Sequence, residues 1–353
     1  MAVNVGLDIG SSSVRAVAID AGKSQPVLRK VGEVQLPEGA VAAGEIIDGA
    51  AIVDAIKELW RKHRLPKKRV VVGVANQRVV VRQVDVPLMG EAELRDALPF
   101  QVQEYMPMSV EEAILDHVGI DEFTTPEGEP MQAILAVAAH RSMVQDFLDV
   151  TTSAGLNVIA VDLQAFALVR SLIPQPVSGI AVLVDIGAEI TQVVLVSGLT
   201  PRFVRIIQTG GSAFTDTLIE GLNLEFAAAE QLKRRIGISV DDDVSAASGD
   251  ETEDEVAQSL LTAEAGRFIE EIRGSVNFFL SQGEGGPVSK VIVAGNGARL
   301  PHLANRLGRA LDAPVEPARV LSHLSTGKLS DEVVAPLQPV LPVPVGLALW
   351  SPE

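Results

Sequence analysis

VGLDIGSSSVRAVAID (residues 5–20) reads as an apolar strand running into Asp8 and Gly10, a turn at Ser11, Ser12 and Ser13, and a second strand carrying Arg15. The same plan returns 177 positions later in VLVDIGAEITQVVLVS (residues 182–197), where Asp185 matches Asp8, Gly187 matches Gly10 and Thr191 opens the exit strand. One Asp-x-Gly turn is commonplace, because Asp and Gly are ordinary turn residues. Two of them half a chain apart predict two related lobes presenting similar hairpins to one cleft. The chemistry suits a nucleotide phosphate tail. Turn N–H groups and the hydroxyls of Ser11 to Ser13 or Thr191 can donate to phosphate oxygens. Gly10 and Gly187 let the backbone approach closely. Asp8 and Asp185 suit Mg²⁺, which is usually shared between a carboxylate, waters and phosphates.

Composition agrees with two lobes. At 353 residues and 47% hydrophobic content, the chain exceeds the roughly 250–300 residues at which single cores stop growing. Its most apolar stretch, GIAVLVDIGAEITQVVLV, contains Asp185 and Glu189, so no membrane span and no direct membrane insertion are expected. MAVNVGLDIG lacks the basic start of a secretory signal, which predicts a cytoplasmic protein. Without cysteine, a disulfide framework and a thiolate metal site are excluded. A net charge of −17 argues against nucleic acid as a partner, since phosphate neutralisation needs a basic footprint. The basic run RKHRLPKKR (61–69) follows an apolar stripe of Ile52, Val53, Ile56, Leu59 and Trp60. It therefore reads as a solvated helix C-terminus. DDDVSAASGDETEDE (241–255) has one charge sign and no periodicity, and reads as a mobile surface loop.

Strands alternate with helical patterns, which predicts an α/β architecture. Residues 70–87 hold two Val-rich runs separated by Asn76-Gln77-Arg78, read as paired or consecutive strands. EAELRDALPFQVQEYM (91–106) is helical in period apart from Pro99. An interior proline costs about 3 kcal/mol, so a kink or a break is expected there. ILDHVGIDEF, TTPEGEP and MQAILAVAAH form a hairpin signal, and SMVQDFLDVTTSAGL an amphipathic helix ending at Gly155. Residues 82–156 thus read as a compact α+β insert.

Two later segments add ligand-binding candidates. Residues 204–237 give a strand, then Gly210-Gly211, then helices placing Glu230 and Lys233 at i, i+3; such a pair is also a routine surface ion pair. KVIVAGNGARLPHLANRL (290–307) is a buried strand running into Gly295-Asn296-Gly297, a turn that can lie under a flat ligand or simply reverse the chain.

DIGSSSVRAV, VDIGAEITQVVLV, AAAEQLKR and VIVAGNGARLPHL, in this order, resemble the phosphate 1, phosphate 2, ribose/adenine and adenosine motifs of the actin-like ATPase superfamily. Within it the chain is most similar to the PilM family of type IV pilus assembly proteins, relatives of the division protein FtsA. The resemblance implies an actin-like fold of two related lobes around a nucleotide cleft, with an FtsA/PilM-type subdomain 1C. The first lobe would be residues 1–81, completed by about 157–178 and 335–353, the insert 82–156, and the second lobe 179–334 with subdomain 2B at about 223–287. It implies ATP and Mg²⁺ as ligands, with Asp8 and Asp185 at the metal. Gly10, Ser11, Ser12, Ser13 and Arg15 would form the first phosphate loop, and Gly187 and Thr191 the second, followed by Gly210 and Gly211. Glu230 and Lys233 would contact ribose and base, and Gly295, Asn296 and Gly297 would lie under the adenosine. VDLQAFALVR matches the segment that positions the attacking water, making Gln164 the candidate, since a neutral Gln can orient water. Alternatively Gln164 is a helix N-terminal residue behind an Asp162 N-cap.

Three departures stand out. Arg15 replaces a Lys, Glu189 stands where a small residue is usual and would repel a triphosphate, and Asn296 replaces a Gly, with Asn tolerant of left-handed backbone. They imply slow or absent ATP turnover. The resemblance further implies a scaffold role, with the insert gripping the N-terminal cytoplasmic peptide of a PilN-like inner-membrane protein, which would also provide membrane attachment. Self-association as in FtsA-like filaments and a small-molecule kinase of the same superfold are the alternatives.

Overall fold

The structure, a computed structural model, describes residues 3–22, 25–240, 252–283 and 286–352. The chain opens with β1 (Val3–Ile9), β2 (Ser13–Asp20), β3 (Val27–Gln35), the short β4 (Val41–Ala42) and β5 (Glu45–Ile46), α1 (Gly49–His63) and β6 (Val70–Val74). It continues through β7 (Val79–Pro87), α2 (Glu91–Val102), β8 (Ala113–Thr124), β9 (Pro130–His140), α3 (Arg141–Ser153), β10 (Val158–Leu163) and α4 (Gln164–Leu172). The remainder comprises β11 (Val177–Ile186), β12 (Thr191–Gly198), β13 (Thr200–Ile207), α5 (Gly211–Leu222), α6 (Phe226–Ile236), α7 (Glu253–Ser281) and β14 (Val288–Ala294). Then come α8 (Leu303–Ala310), β15 (Val315–Pro317), α9 (Asp331–Val334) and α10 (Pro342–Ala348).

The duplication seen in the hairpins is a duplication of whole sheets. One sheet runs β10-β6-β1-β2-β3 and the other β13-β12-β11-β14-β15. In each, three antiparallel strands form a meander whose first strand pairs in parallel with a later one, β1 with β6 and β11 with β14. The central strands are Val- and Ile-rich and buried, as strands covered on both faces must be.

Residues 82–156 divide between two packings. Strands β7, β9 and β8 form their own antiparallel sheet, whose core joins Val84, Val86 and Ile134 to Leu94, Leu98 and Val102 of α2. By contrast, Met143, Val144, Phe147 and Val150 of α3 pack into the first lobe. The Val-rich runs β6 and β7 are consecutive but sit in different sheets. The insert also leans on the second lobe: β7 and β8 touch β13, and Arg202 forms an ion pair with Asp121.

Pro99 does not break α2. The helix buries Leu94, Leu98 and Val102 at i, i+4, i+8, and this packing outweighs the lost backbone hydrogen bond. The basic run ends α1 as expected, with Arg61, Lys62 and His63 in the last turn. The acidic run lies outside the described residues up to Glu251. Its last residues are not loop, since Thr252 and Glu255 form a reciprocal capping box that starts α7. Near the C-terminus α10 is buried along its whole length and packs on α4 and β1. Among the described residues no helix is long and apolar enough to cross a membrane.

Candidate functional site

The two hairpins close with the same bond. Gly10 N–H donates to Ser13 O at 3.0 Å and Gly187 N–H to Ile190 O at 2.8 Å. Asp8 ends its strand opposite Arg15, and Asp185 opposite Gln192. Gln192 is therefore the second-lobe counterpart of Arg15, a position found only when the two hairpins are overlaid.

These residues form a relay across the cleft. Gln192 Nε2 donates to Gln164 Oε1 at 3.0 Å, and Gln164 Nε2 donates to Asp8 Oδ1 at 3.1 Å. Arg15 Nη1 lies 3.5 Å from Asp8 Oδ2, while its Nε donates to Glu33 Oε1 at 2.9 Å. Gln164 thus has both ends of its amide engaged. The expected Asp162 N-cap is not formed, because Leu163 occupies that position and Asp162 pairs with Arg170 one helical stretch onward.

The two aspartates are electrostatically strained. Burial pushes the Asp8 carboxyl upward and the Arg15 guanidinium pulls it back. Asp185 keeps some surface open to the cleft, yet its protein surroundings, followed by the charge of Asp8, push it up to about 7. An unfolded Asp titrates near about 3.9. The protonated folded form is thus favoured, so this contribution to stability is fully present below the unfolded value and is lost as pH rises through about 7. Thermal midpoints between pH 5 and pH 8 are expected to fall more steeply for the native chain than for Asp185→Asn. Parallel pH profiles would remove Asp185 as the cause.

The glycines build a close-packed floor. Gly211 N–H donates to Gly187 O at 2.9 Å and Ser212 N–H to Ala188 O at 2.8 Å. A Cβ on Gly210 would sit 2.5 Å from Ala188 O. Gly295, at φ 85, presses on Ile186 so closely that a Cβ would overlap its carbonyl and lie 2.9 Å from Asp185 Oδ1. Gly297 packs on the same Ile186. Asn296 between them is exposed with φ −69, so no left-handed backbone is required of it.

Other candidate groups are engaged by protein. Thr191 Oγ1 donates to Thr209 O at 2.7 Å. Lys233 Nζ donates to Gly211 O at 2.9 Å and to Thr215 Oγ1 at 2.6 Å, and it pairs with Glu230. Burial would raise the Glu230 carboxyl, but hydrogen bonds from Lys233 and Thr215 hold it below its ordinary range. The pair thus ties α6 to the start of α5 rather than standing on the surface. Ser11 is half-buried and Ser12 exposed at the turn, whereas Ser13 Oγ is buried without a hydrogen-bond partner. Glu189 reaches the first lobe: its Oε2 accepts from Ala43 N–H at 2.6 Å.

Two desolvated carboxylates within electrostatic reach of each other and a buried unpartnered hydroxyl form a donor set that suits a divalent cation and an anionic ligand. Among the described residues no group of three or more His, Cys, Asp or Glu could hold a metal by itself, so ligand oxygens or waters would complete any coordination sphere.

The family profile described as type IV pilus assembly protein PilM matches residues 6–351. A solved PilM-PilN type IV pilus biogenesis complex contains a chain 25% identical, covering 98% of this chain and 97% of its own, with a TM-score of 0.83. The cell division protein FtsA of Neisseria meningitidis is 24% identical over 362 residues, or 94% of this chain and 86% of that protein. The chaperone protein HscA homolog of Pseudomonas putida is 25% identical over 246 residues, which is 67% of this chain; the match spans only 38% of the chaperone.

Proposed function

Because the chain belongs to the type IV pilus assembly protein PilM family and has the actin-like ATPase fold, we propose that it is an ATP-binding adaptor of the pilus assembly platform. Its cleft would take Mg·ATP, and its insert would hold the N-terminal peptide of a PilN-like membrane protein at the inner face of the cytoplasmic membrane. The observation that carries this reading is the pair of matched hairpins that set Asp8 and Asp185 within electrostatic reach of each other. A bound Mg²⁺ would neutralise charge on phosphate oxygens and on these carboxylates. Asp8 and Asp185 would hold it, Ser13 Oγ and the Ser11–Ser12 turn would meet phosphate, and Gly295–Gly297 would lie against the nucleoside. Gln164 would orient water only by giving up one of its present bonds, to Asp8, Gly73 or Gln192, which fits slow turnover.

On the insert, a cleft of about 310 Å³ lies between α2 and β8, lined by Leu98, Pro99, Ile114, Leu115, His117 and Arg141. Phe100 in α2, 80% exposed, and Tyr105 just after it, 52% exposed, are further apolar groups on the insert's surface. β8 is one of the two edge strands of its sheet, so an extended peptide could add main-chain bonds and place apolar anchors. The solved PilM-PilN complex, whose matching chain is 25% identical, supports a partner of this kind.

Calorimetric titration of nucleotide-stripped protein with Mg·ATP, then with the peptide, and in reverse order tests both halves. Each ligand is expected to change the other's affinity by the same factor, about 5- to 150-fold. Peptide binding without any heat from Mg·ATP would leave a scaffold that binds no nucleotide.

A further inference from the structure

Glu189 reads in the sequence as a defect in the second phosphate turn, but the structure gives it a partner on the opposite lobe. That partner is the tip of the β4–β5 hairpin. Both tip residues have positive φ, Ala43 at 47 and Gly44 at 76, the pattern of a type I′ turn. For an alanine this conformation is uncommon and costs energy. It displays the Ala43 N–H toward the second lobe, where Glu189 Oε2 accepts it at 2.6 Å. The neighbouring Ile190 closes on Gly44, where a Cβ would stand 2.7 Å from Ile190 Cδ1.

The tip is anchored from behind. Fully buried Asn76 donates from Nδ2 to Gly44 O at 3.1 Å, and its Oδ1 accepts Arg78 N–H at 2.9 Å. Val79, the first residue of β7, donates to Asn76 O at 3.1 Å. Arg78 then donates from Nη2 to Ser142 Oγ at 2.6 Å, and its carbonyl accepts His140 N–H at 3.1 Å. One continuous chain of bonds therefore joins the second phosphate turn to both roots of the insert, β7 and the junction of β9 with α3.

We propose that Glu189 is an inter-lobe clasp: it holds the cleft shut on the Ala43 amide, and its release is relayed through Asn76 and Arg78 to the insert. The proposal rests on the reading of the cleft as an anion site. A phosphate beside residues 187–190 repels the Glu189 carboxylate and draws it off Ala43, loosening the tip and with it Asn76. The bond is charge-assisted and so stronger than a neutral one. Glutamine keeps an acceptor oxygen but not the charge, whereas alanine removes the clasp altogether.

The test uses the full chain. Because it has no cysteine, Lys57→Cys on α1 and Asn305→Cys on α8 give a clean spin-label pair across the lobes. Without nucleotide, Glu189→Ala is expected to broaden the inter-lobe distance distribution and to speed hydrogen exchange in β7 by at least about fivefold, the lower end of ordinary coupling. Glu189→Gln is expected to lie between Ala and the native chain. With Mg·ATP, the native chain is expected to move toward the Glu189→Ala values, while Glu189→Ala itself stays put. An unchanged distance distribution and unchanged β7 exchange in Glu189→Ala overturn the clasp. If the native chain binds no Mg·ATP, the nucleotide reading falls separately, and the nucleotide-free comparison alone decides whether Glu189 clasps the lobes.

Discussion

Gly346→Ala is expected to unfold the first lobe or to lower its stability by at least about 4–5 kcal/mol, at the exceptional end for one substitution. The reason is backbone against backbone. α10 lies so close to α4 that a Cβ on Gly346 would overlap the carbonyl of Ala167. Gly6 likewise faces the Pro344 carbonyl, and a Cβ on Gly73 would stand 2.8 Å from Leu347 Cδ1. No side-chain rotation relieves the backbone overlaps at Gly346 and Gly6. Sliding α10 outward would expose Val345 and Leu347, which are fully buried, at about 1.5–3 kcal/mol each. It would also break the bond from Arg170 Nε to Gly346 O, 3.0 Å long. Gly274→Ala in α7 is the control, since its Cβ would meet nothing within 4 Å. There the change should add about 0.5–1 kcal/mol, by helix propensity and unfolded-state entropy. Urea midpoints that move equally in the two variants would sink this account.

Asp8→Ala and Asp185→Asn are each expected to weaken Mg·ATP binding by about 100-fold or more, equivalent to about 2.7 kcal/mol. The two differ in their effect on the free protein. Asp185→Asn removes a carboxylate that burial and Asp8 disfavour, so at pH 8 it should raise stability while destroying affinity. Asp8→Ala leaves Arg15 with Glu33 alone and leaves Gln164 Nε2 only its longer bond to Gly73 O at 3.5 Å, so it should lower both. A shared loss of affinity with opposite stability changes identifies both groups as ligand-site residues, of which Asp185 alone is held at the expense of the fold. Calorimetry with Mg·ATP and thermal unfolding at pH 8 measure the two sides. Unchanged affinity in both variants would end the proposal of a metal-nucleotide site between the hairpins.

Much of this was legible in the sequence because strand and turn chemistry are local. Val-rich runs, Asp-x-Gly turns and a constant offset of 177 residues recur in the registers of both sheets. Glycines at 210, 211, 295 and 297 were legible as turn residues, but what they pack against was not. The contact between Glu189 and Ala43 spans 146 residues and joins the two lobes, so no local pattern announces it. Gln192 was missed because one polar residue in an exit strand reads as a solvent-facing position, whereas here it faces Gln164. Of the kink or break expected at Pro99 the break does not occur, and the Asp162 N-cap does not form, for a common reason. Local rules assign a helix breaker and an N-cap, but burial of Leu94, Leu98 and Val102 in one case and the Arg170 guanidinium in the other prevail.

The insert's lean on β13 bears on how its role can be probed. Thr200–Ile207 is the terminal strand of the second sheet, and one flank of its backbone has no ladder partner in that sheet. An uncovered strand of this kind recruits other chains by edge-to-edge pairing. With β7 and β8 against this strand and Arg202 bound to Asp121, the insert helps to cover it. Excising the insert would therefore bare an aggregation seed as well as remove a docking module, and a precipitated deletion would report on the shield rather than on the partner.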